Sequence, residues 1–122
     1  MTTKRILVVD DDHELLEITR ELLELDGHHV RVQSSPFGTT KTVLEFNPDL
    51  ILLDVNMPGL SGDRLATLLI RGEEGTRRRV VLYSSNDELS LHRAAREVGA
   101  EGFVAKGDGA TLRRRVRELL ET

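Results

Sequence analysis

Hydrophobic residues follow two rhythms along this chain. Ile6 to Val9, Leu50 to Leu53 and Val80 to Tyr83 are apolar at successive positions. Such runs mark strands covered on both faces, as in a parallel sheet between helices. Val30 to Gln33 and Gly102 to Ala105 give two more strands. Amphipathic segments lie between them. His13 to Leu25 sets Leu15, Ile18, Leu22 and Leu25 on one stripe, with Gly27 placed to end the helix. Pro36 to Phe46 follows Ser35 as N-cap, with Pro36 at the first helical position. Gly62 to Arg71 forms the third helix. Asp87 to Val98 begins after Ser85 or Asn86 as cap and finishes at Gly99. Ala110 to Glu121 carries Leu112, Val116, Leu119 and Leu120 on one face.

Strand followed by helix, five times over with short links, predicts an α/β fold: a doubly wound (βα)5 open parallel sheet of five strands with helices on both sides. A closed (βα)8 barrel needs about twice this length. Residues 1–122 are expected to form one domain, with no output domain after the last helix. No linker, low-complexity tract or solenoid repeat interrupts them.

Composition narrows the class. The chain of 122 residues is 39% hydrophobic and 31% charged, with a net charge of −4. That balance argues against a nucleic-acid surface as the main function. With no cysteine, disulfides, thiol catalysis and cysteine-ligated zinc are excluded. Lys4 and Arg5 precede only four apolar residues, unlike a signal peptide, and no run approaches the roughly 20 apolar residues of a membrane span. The expectation is a soluble, cytoplasmic protein.

In open parallel sheets, ligands bind beyond the carboxyl ends of the strands. Asp10, Asp11 and Asp12 close the first strand, Asp54 the third, Ser84 and Ser85 the fourth, and Lys106 the fifth. Asp12 reads as the cap of the first helix. Asp10, Asp11 and Asp54 set against Lys106 leave a charge that one divalent cation offsets. Hard oxygen ligands suit Mg²⁺, with Mn²⁺ as a substitute. A carboxylate is a competent nucleophile towards phosphorus, and Asp54, on the strand expected at the centre of the sheet, is the candidate, with Ser84 as hydrogen-bond partner to a phosphoryl oxygen. His13, His28, His29 and His92 lack ligand spacing and read as surface or cap residues.

These segments resemble the receiver domains of two-component response regulators, a CheY-like, flavodoxin-like fold. "ILVVDDDHELL" is similar to that family's first strand and acidic pair, and "LILLDVNMPGLSG" to its phosphoacceptor strand and loop. "VVLYSSND" and "GAEGFVAK" are similar to the strands ending in a hydroxyl and a lysine. The resemblance implies strand order 2-1-3-4-5, Asp54 as phosphoacceptor, and Mg²⁺ held by Asp10, Asp11, Asp54 and the backbone carbonyl of Asn56. It further implies Lys106 as the phosphoryl contact and Ser84 with Phe103 as the switch pair. The chain departs from the family at Gly107, where a cis-proline is usual, and at Phe103, a ring without the tyrosine hydroxyl.

The function implied is a phosphorylation-dependent switch rather than a conventional enzyme: a phosphoacceptor that catalyses its own phosphoryl transfer and dephosphorylation. Its donor would be a sensor histidine kinase or phosphotransfer protein. A downstream partner or fused output domain would read the face formed by the fourth helix, fifth strand and last helix. Asn86 and Asp87 lie where water would reach the acyl phosphate. Two alternatives stand beside this: a receiver-like interaction module that takes no phosphate, and a Mg²⁺-dependent phosphohydrolase with an aspartyl nucleophile. Asn56 stands where the latter needs a second acid. Arg77, Arg78 and Arg79, and on the last helix Arg113, Arg114, Arg115 and Arg117, read as a solvated face or as a docking surface for acidic residues. No aromatic residues interleave them, which speaks against direct nucleic-acid contact.

Overall fold

Five parallel strands in the order β2-β1-β3-β4-β5 form the centre of the computed structural model. It describes residues 3–56, 62–71 and 78–121, with residues 62 and 63 in backbone only. The elements are β1 (Arg5–Val9), α1 (His13–Leu25), β2 (His29–Gln33), α2 (Thr39–Phe46), β3 (Leu50–Leu53), α3 (Gly62–Arg71), β4 (Val80–Ser84), α4 (Glu88–Val98), β5 (Gly102–Ala105) and α5 (Gly109–Leu120). The loop after Asn56 in the "LILLDVNMPGLSG" stretch, and Arg77, lie outside the described residues.

The continuous apolar runs have the reason expected of them. Along β1, Leu7 and Val9 pack under α2, α3 and α4 with Val43, Leu65, Leu69 and Leu91. Ile6 and Val8 face the other way, against α1 and α5, with Leu16, Leu23, Leu112 and Val116. The central strand β3 alternates likewise and is fully buried. Each such side chain withdrawn from water contributes about 1.5–3 kcal/mol.

Two elements depart from their expected form. In α1 the buried stripe is Leu16, Thr19 and Leu23, whereas Ile18 and Leu25 are 53% and 71% exposed. Leu15 and Leu22 flank the core from the edge of the stripe. The alternative stripe is equally periodic and one residue out of phase, so helical spacing alone could not choose between them.

Helix α2 begins at Thr39, not Pro36. Gln33 reaches from the end of β2 to donate to the Ser35 carbonyl at 2.7 Å and the Phe37 carbonyl at 3.1 Å, and Thr39 Oγ1 donates to the Pro36 carbonyl at 2.7 Å. With those carbonyls satisfied from outside, the segment turns instead of coiling. Gly38, at φ +80°, then starts the helix in a conformation that disfavours a side chain. Helices α1, α4 and α5 start on acids: Asp12, Asp87 and Asp108 each accept a backbone N–H from the first turn. Asp87, rather than Ser85 or Asn86, caps α4.

Candidate functional site

Backbone hydrogen bonds carry the sheet ladder one residue beyond β1, β3 and β5 and thereby fix the groups that follow. Asp10 N–H donates to Gln33 O at 3.1 Å, Asp54 N–H to Val9 O at 2.9 Å, and Lys106 N–H to Ser84 O at 2.9 Å. Four strands thus deliver their terminal side chains to one edge, as expected from their positions in the sequence.

At that edge Asp10 and Asp54 are buried, 1% and 3% exposed, while Asp11 faces solvent. One oxygen from each of the three lies within 4.8 Å of the others. Lys106 Nζ stands 2.7 Å from Asp10 Oδ2 and 3.4 Å from Asp54 Oδ2. The remaining oxygens of these two acids accept from the chain itself: Asp10 Oδ1 from Asp12 N–H at 3.0 Å, and Asp54 Oδ1 from Asn56 N–H at 2.9 Å.

Burial pushes the Asp54 carboxyl above the ordinary carboxylate range. Asp10's negative charge adds to this, and the Asn56 N–H and Lys106 partly oppose it. Burial pulls the Lys106 ammonium down, but hydrogen bonding and charge from Asp10, then Asp54, outweigh it and leave its pKa raised. Lys106 therefore stays cationic at neutral pH. Three carboxylates around one ammonium still leave excess negative charge. Asp10 Oδ2 is buried, with the Lys106 ammonium as its ion-pair partner. The carboxylate oxygens of Asp10, Asp11 and Asp54 are the hard donors that a divalent cation takes, and such an ion would offset that charge. The residues present fit such an ion.

Ser84, the last residue of β4, is fully buried. Its hydroxyl oxygen accepts from Asn56 Nδ2 at 2.8 Å and from Asn86 N–H at 3.2 Å, and Asn56 Nδ2 also donates to Asn86 Oδ1 at 3.0 Å. Ser85 is exposed. Phe103 is half-buried on β5, on the sheet face shared with Ser84, and meets the His92 ring edge-on at 5.9 Å. His92 is exposed, as its reading as a surface or cap residue expects, with its ring packed on Phe103.

The arginines of α5 are largely engaged within the chain. Arg113 holds Asp26 through two bonds of 2.6 and 3.1 Å, while Arg114 and Arg115 pair with Glu118. Arg79 donates to the Leu119 carbonyl at the end of α5. Sequence reasoning missed the Asn56–Ser84–Asn86 triangle, since its members come from the loop after β3, the end of β4 and the loop after β4. It also missed the contact of Lys106 with the Tyr83 ring, whose centroid is 5.4 Å from Nζ. Tyr83 had signalled only a strand.

An acidic hollow flanked by lysine and hydroxyl at the carboxyl edge of a 2-1-3-4-5 sheet invites comparison with known proteins. The chain is 36% identical to response regulator GacA of Pseudomonas viridiflava over 108 residues, 86% of this chain and 49% of that protein. It is 31% identical to the phosphate regulon transcriptional regulatory protein PhoB of Pseudomonas aeruginosa over 106 residues, 87% of this chain and 46% of that one. The chain thus spans about half the length of these curated relatives. Among solved structures, a putative response regulator from Chloroflexus aurantiacus superposes with a TM-score of 0.87 at 26% identity, covering 99% of this chain and 100% of that one. The chemotaxis response regulator CheY4 of Vibrio cholerae shares the fold, with a TM-score of 0.85 at 20% identity over 97% and 99% of the two chains. No described helix is long and apolar enough to cross a membrane. With residues 6–117 matching the response regulator receiver domain model as well, this chain belongs to the receiver domain family of two-component signalling proteins.

Proposed function

We propose that the chain is a phosphorylation-dependent switch in which Asp54 accepts a phosphoryl group from a histidine kinase or a phosphotransfer protein. One observation carries this reading: the buried Asp54 carboxylate shares a hollow with Asp10, Asp11 and the Lys106 ammonium. Asp10, Asp11, Asp54 and the Asn56 carbonyl would hold Mg²⁺, or Mn²⁺ in its place. When bound, the ion supplies the positive charge that lets a phosphoryl group approach the carboxylates.

The transfer is a displacement at phosphorus. An Asp54 carboxylate oxygen bonds to phosphorus while the phosphorus–nitrogen bond of the donor's phosphohistidine breaks, its electron pair returning to the imidazole. The Asn56 N–H anchors the other Asp54 oxygen and so aims the nucleophile. Lys106 lies close enough to exchange its Asp54 contact for an oxygen of the incoming group.

The acyl phosphate adds roughly one negative charge and three acceptor oxygens at a fixed point. Ser84 then leaves its contacts with Asn56 and Asn86 to donate its hydroxyl hydrogen to one of those oxygens. Phe103, on the same sheet face, fills the space released, and the face made by α4, β5 and α5 changes for the partner or output domain that reads it.

Incubation with acetyl phosphate and Mg²⁺ followed by intact mass measurement tests the proposal. A gain of one phosphate, labile to hydroxylamine and absent in Asp54→Asn, is the expected result. A wild-type mass unchanged under these conditions defeats it and leaves the interaction-module reading.

A further inference from the structure

Phosphoryl transfer needs the Lys106 ammonium aimed, yet the backbone beyond it offers little restraint. Gly107 has a φ of +143°, and a Cβ there would meet nothing within 4 Å. The aim has to come from the side chain's own surroundings. Two carboxylates hold the ammonium from one direction, at 2.7 and 3.4 Å. Beneath it lies the face of Tyr83, with its centroid 5.4 Å from Nζ.

That ring is itself fixed. Tyr83 is 3% exposed and belongs to the core between the sheet and α1 and α5. Its hydroxyl is 3.5 Å from Oγ1 of Thr19, a buried residue in the middle of α1. The register explains the meeting. Tyr83 pairs with Val104, and Lys106, two residues further on, emerges on the same sheet face. Ser84 emerges on the opposite face, so the switch hydroxyl and the ring act on different sides of the sheet.

An aromatic face within about 6 Å attracts a cation, and does so more strongly where water is excluded. The Lys106 side chain is only 14% exposed. We propose that Tyr83 is a positioning residue for phosphoryl transfer: its ring, pinned by the core and by Thr19, seats the Lys106 ammonium between Asp10 and Asp54 in place of a rigid turn after the lysine. The inference rests on Asp54 being the phosphoacceptor.

The test uses the full chain and two variants, Tyr83→Phe, which keeps the ring, and Tyr83→Leu, which removes it. In the wild type the Lys106 Hε protons should show an upfield ring-current shift relative to the other lysines. Tyr83→Phe retains that shift and Tyr83→Leu loses it. Phosphorylation by acetyl phosphate in saturating Mg²⁺ should slow about tenfold in its maximal rate in Tyr83→Leu, and stay within about twofold of wild type in Tyr83→Phe. Wild-type Lys106 protons without an upfield shift overturn the proposal, and this needs no variant to fold. So does a Tyr83→Leu protein that phosphorylates at the wild-type rate, or a Tyr83→Phe protein as slow as Tyr83→Leu. A wild type that takes up no phosphate defeats instead the phosphoacceptor reading, a result distinct from each of these.

Discussion

Lys106 Nζ lies 2.7 Å from Asp10 Oδ2 although the two residues close β5 and β1, which β3 and β4 separate in the sheet. The lysine reaches across the carboxyl edge and stands among the three acids as their internal counter-charge. A divalent cation held in the hollow would therefore compete with Lys106 for the same excess of negative charge.

Replacing Lys106 by Met should make the acidic hollow bind Mg²⁺ more tightly, by about tenfold, as isothermal titration with the metal alone would show. The same variant should be less stable without metal, since Asp10 and Asp54 remain buried without their cation. Added Mg²⁺ should raise its melting temperature more than that of the wild type. Equal metal affinity in the two proteins would mean that the ammonium does not offset the site's charge.

The Asn56 amide joins two loops through its bonds to Ser84 and Asn86. Asn56→Ala should cost about 1 kcal/mol in urea unfolding, and Ser84→Ala a similar amount. The double variant should cost less than the two added together, because each single change already breaks the shared bond. Strict additivity would show that the bond contributes nothing in solution.

Asp26, just past α1, has its carboxyl pKa lowered from the ordinary value, chiefly by its hydrogen bonds to Arg113 of α5. A carboxyl depressed in the folded state stabilises at pH values above its unfolded pKa of about 3.9 and loses that contribution as pH falls through its folded value. The stability gap between wild type and Asp26→Asn should therefore be widest near neutrality and should narrow below about pH 4. Thermal melts of both proteins across that range would measure it. A gap that widened on acidification would contradict the pairing.

Leu23 and Leu25 sit two residues apart at the end of α1, one fully buried and one 71% exposed. Leu23→Ala should cost about 2–4 kcal/mol in denaturant unfolding, and Leu25→Ala within about 0.5 kcal/mol of nothing. Comparable losses at both positions would place the out-of-phase stripe against the sheet after all.

The amino-acid order alone determined the five strands, the fold class and the groups that end each strand. These depend on neighbours in the chain: unbroken apolar runs mark the buried parallel strands β1, β3 and β4, and an acid or a lysine directly after a parallel strand emerges at the sheet's carboxyl edge. Asp12 as the cap of α1 was legible for the same local reason. Tertiary structure alone decided which of two equally periodic stripes of α1 is buried, because the choice depends on the surface that β1, β2 and α5 present. It decided that Gln33 takes the carbonyls that would otherwise have begun α2 at Pro36. It also brought Asn56 to Ser84 and Lys106 to the Tyr83 ring. Those contacts follow from strand order and register, which bring side chains from distant elements within a few ångströms of one another, and no periodicity within a single element carries that information.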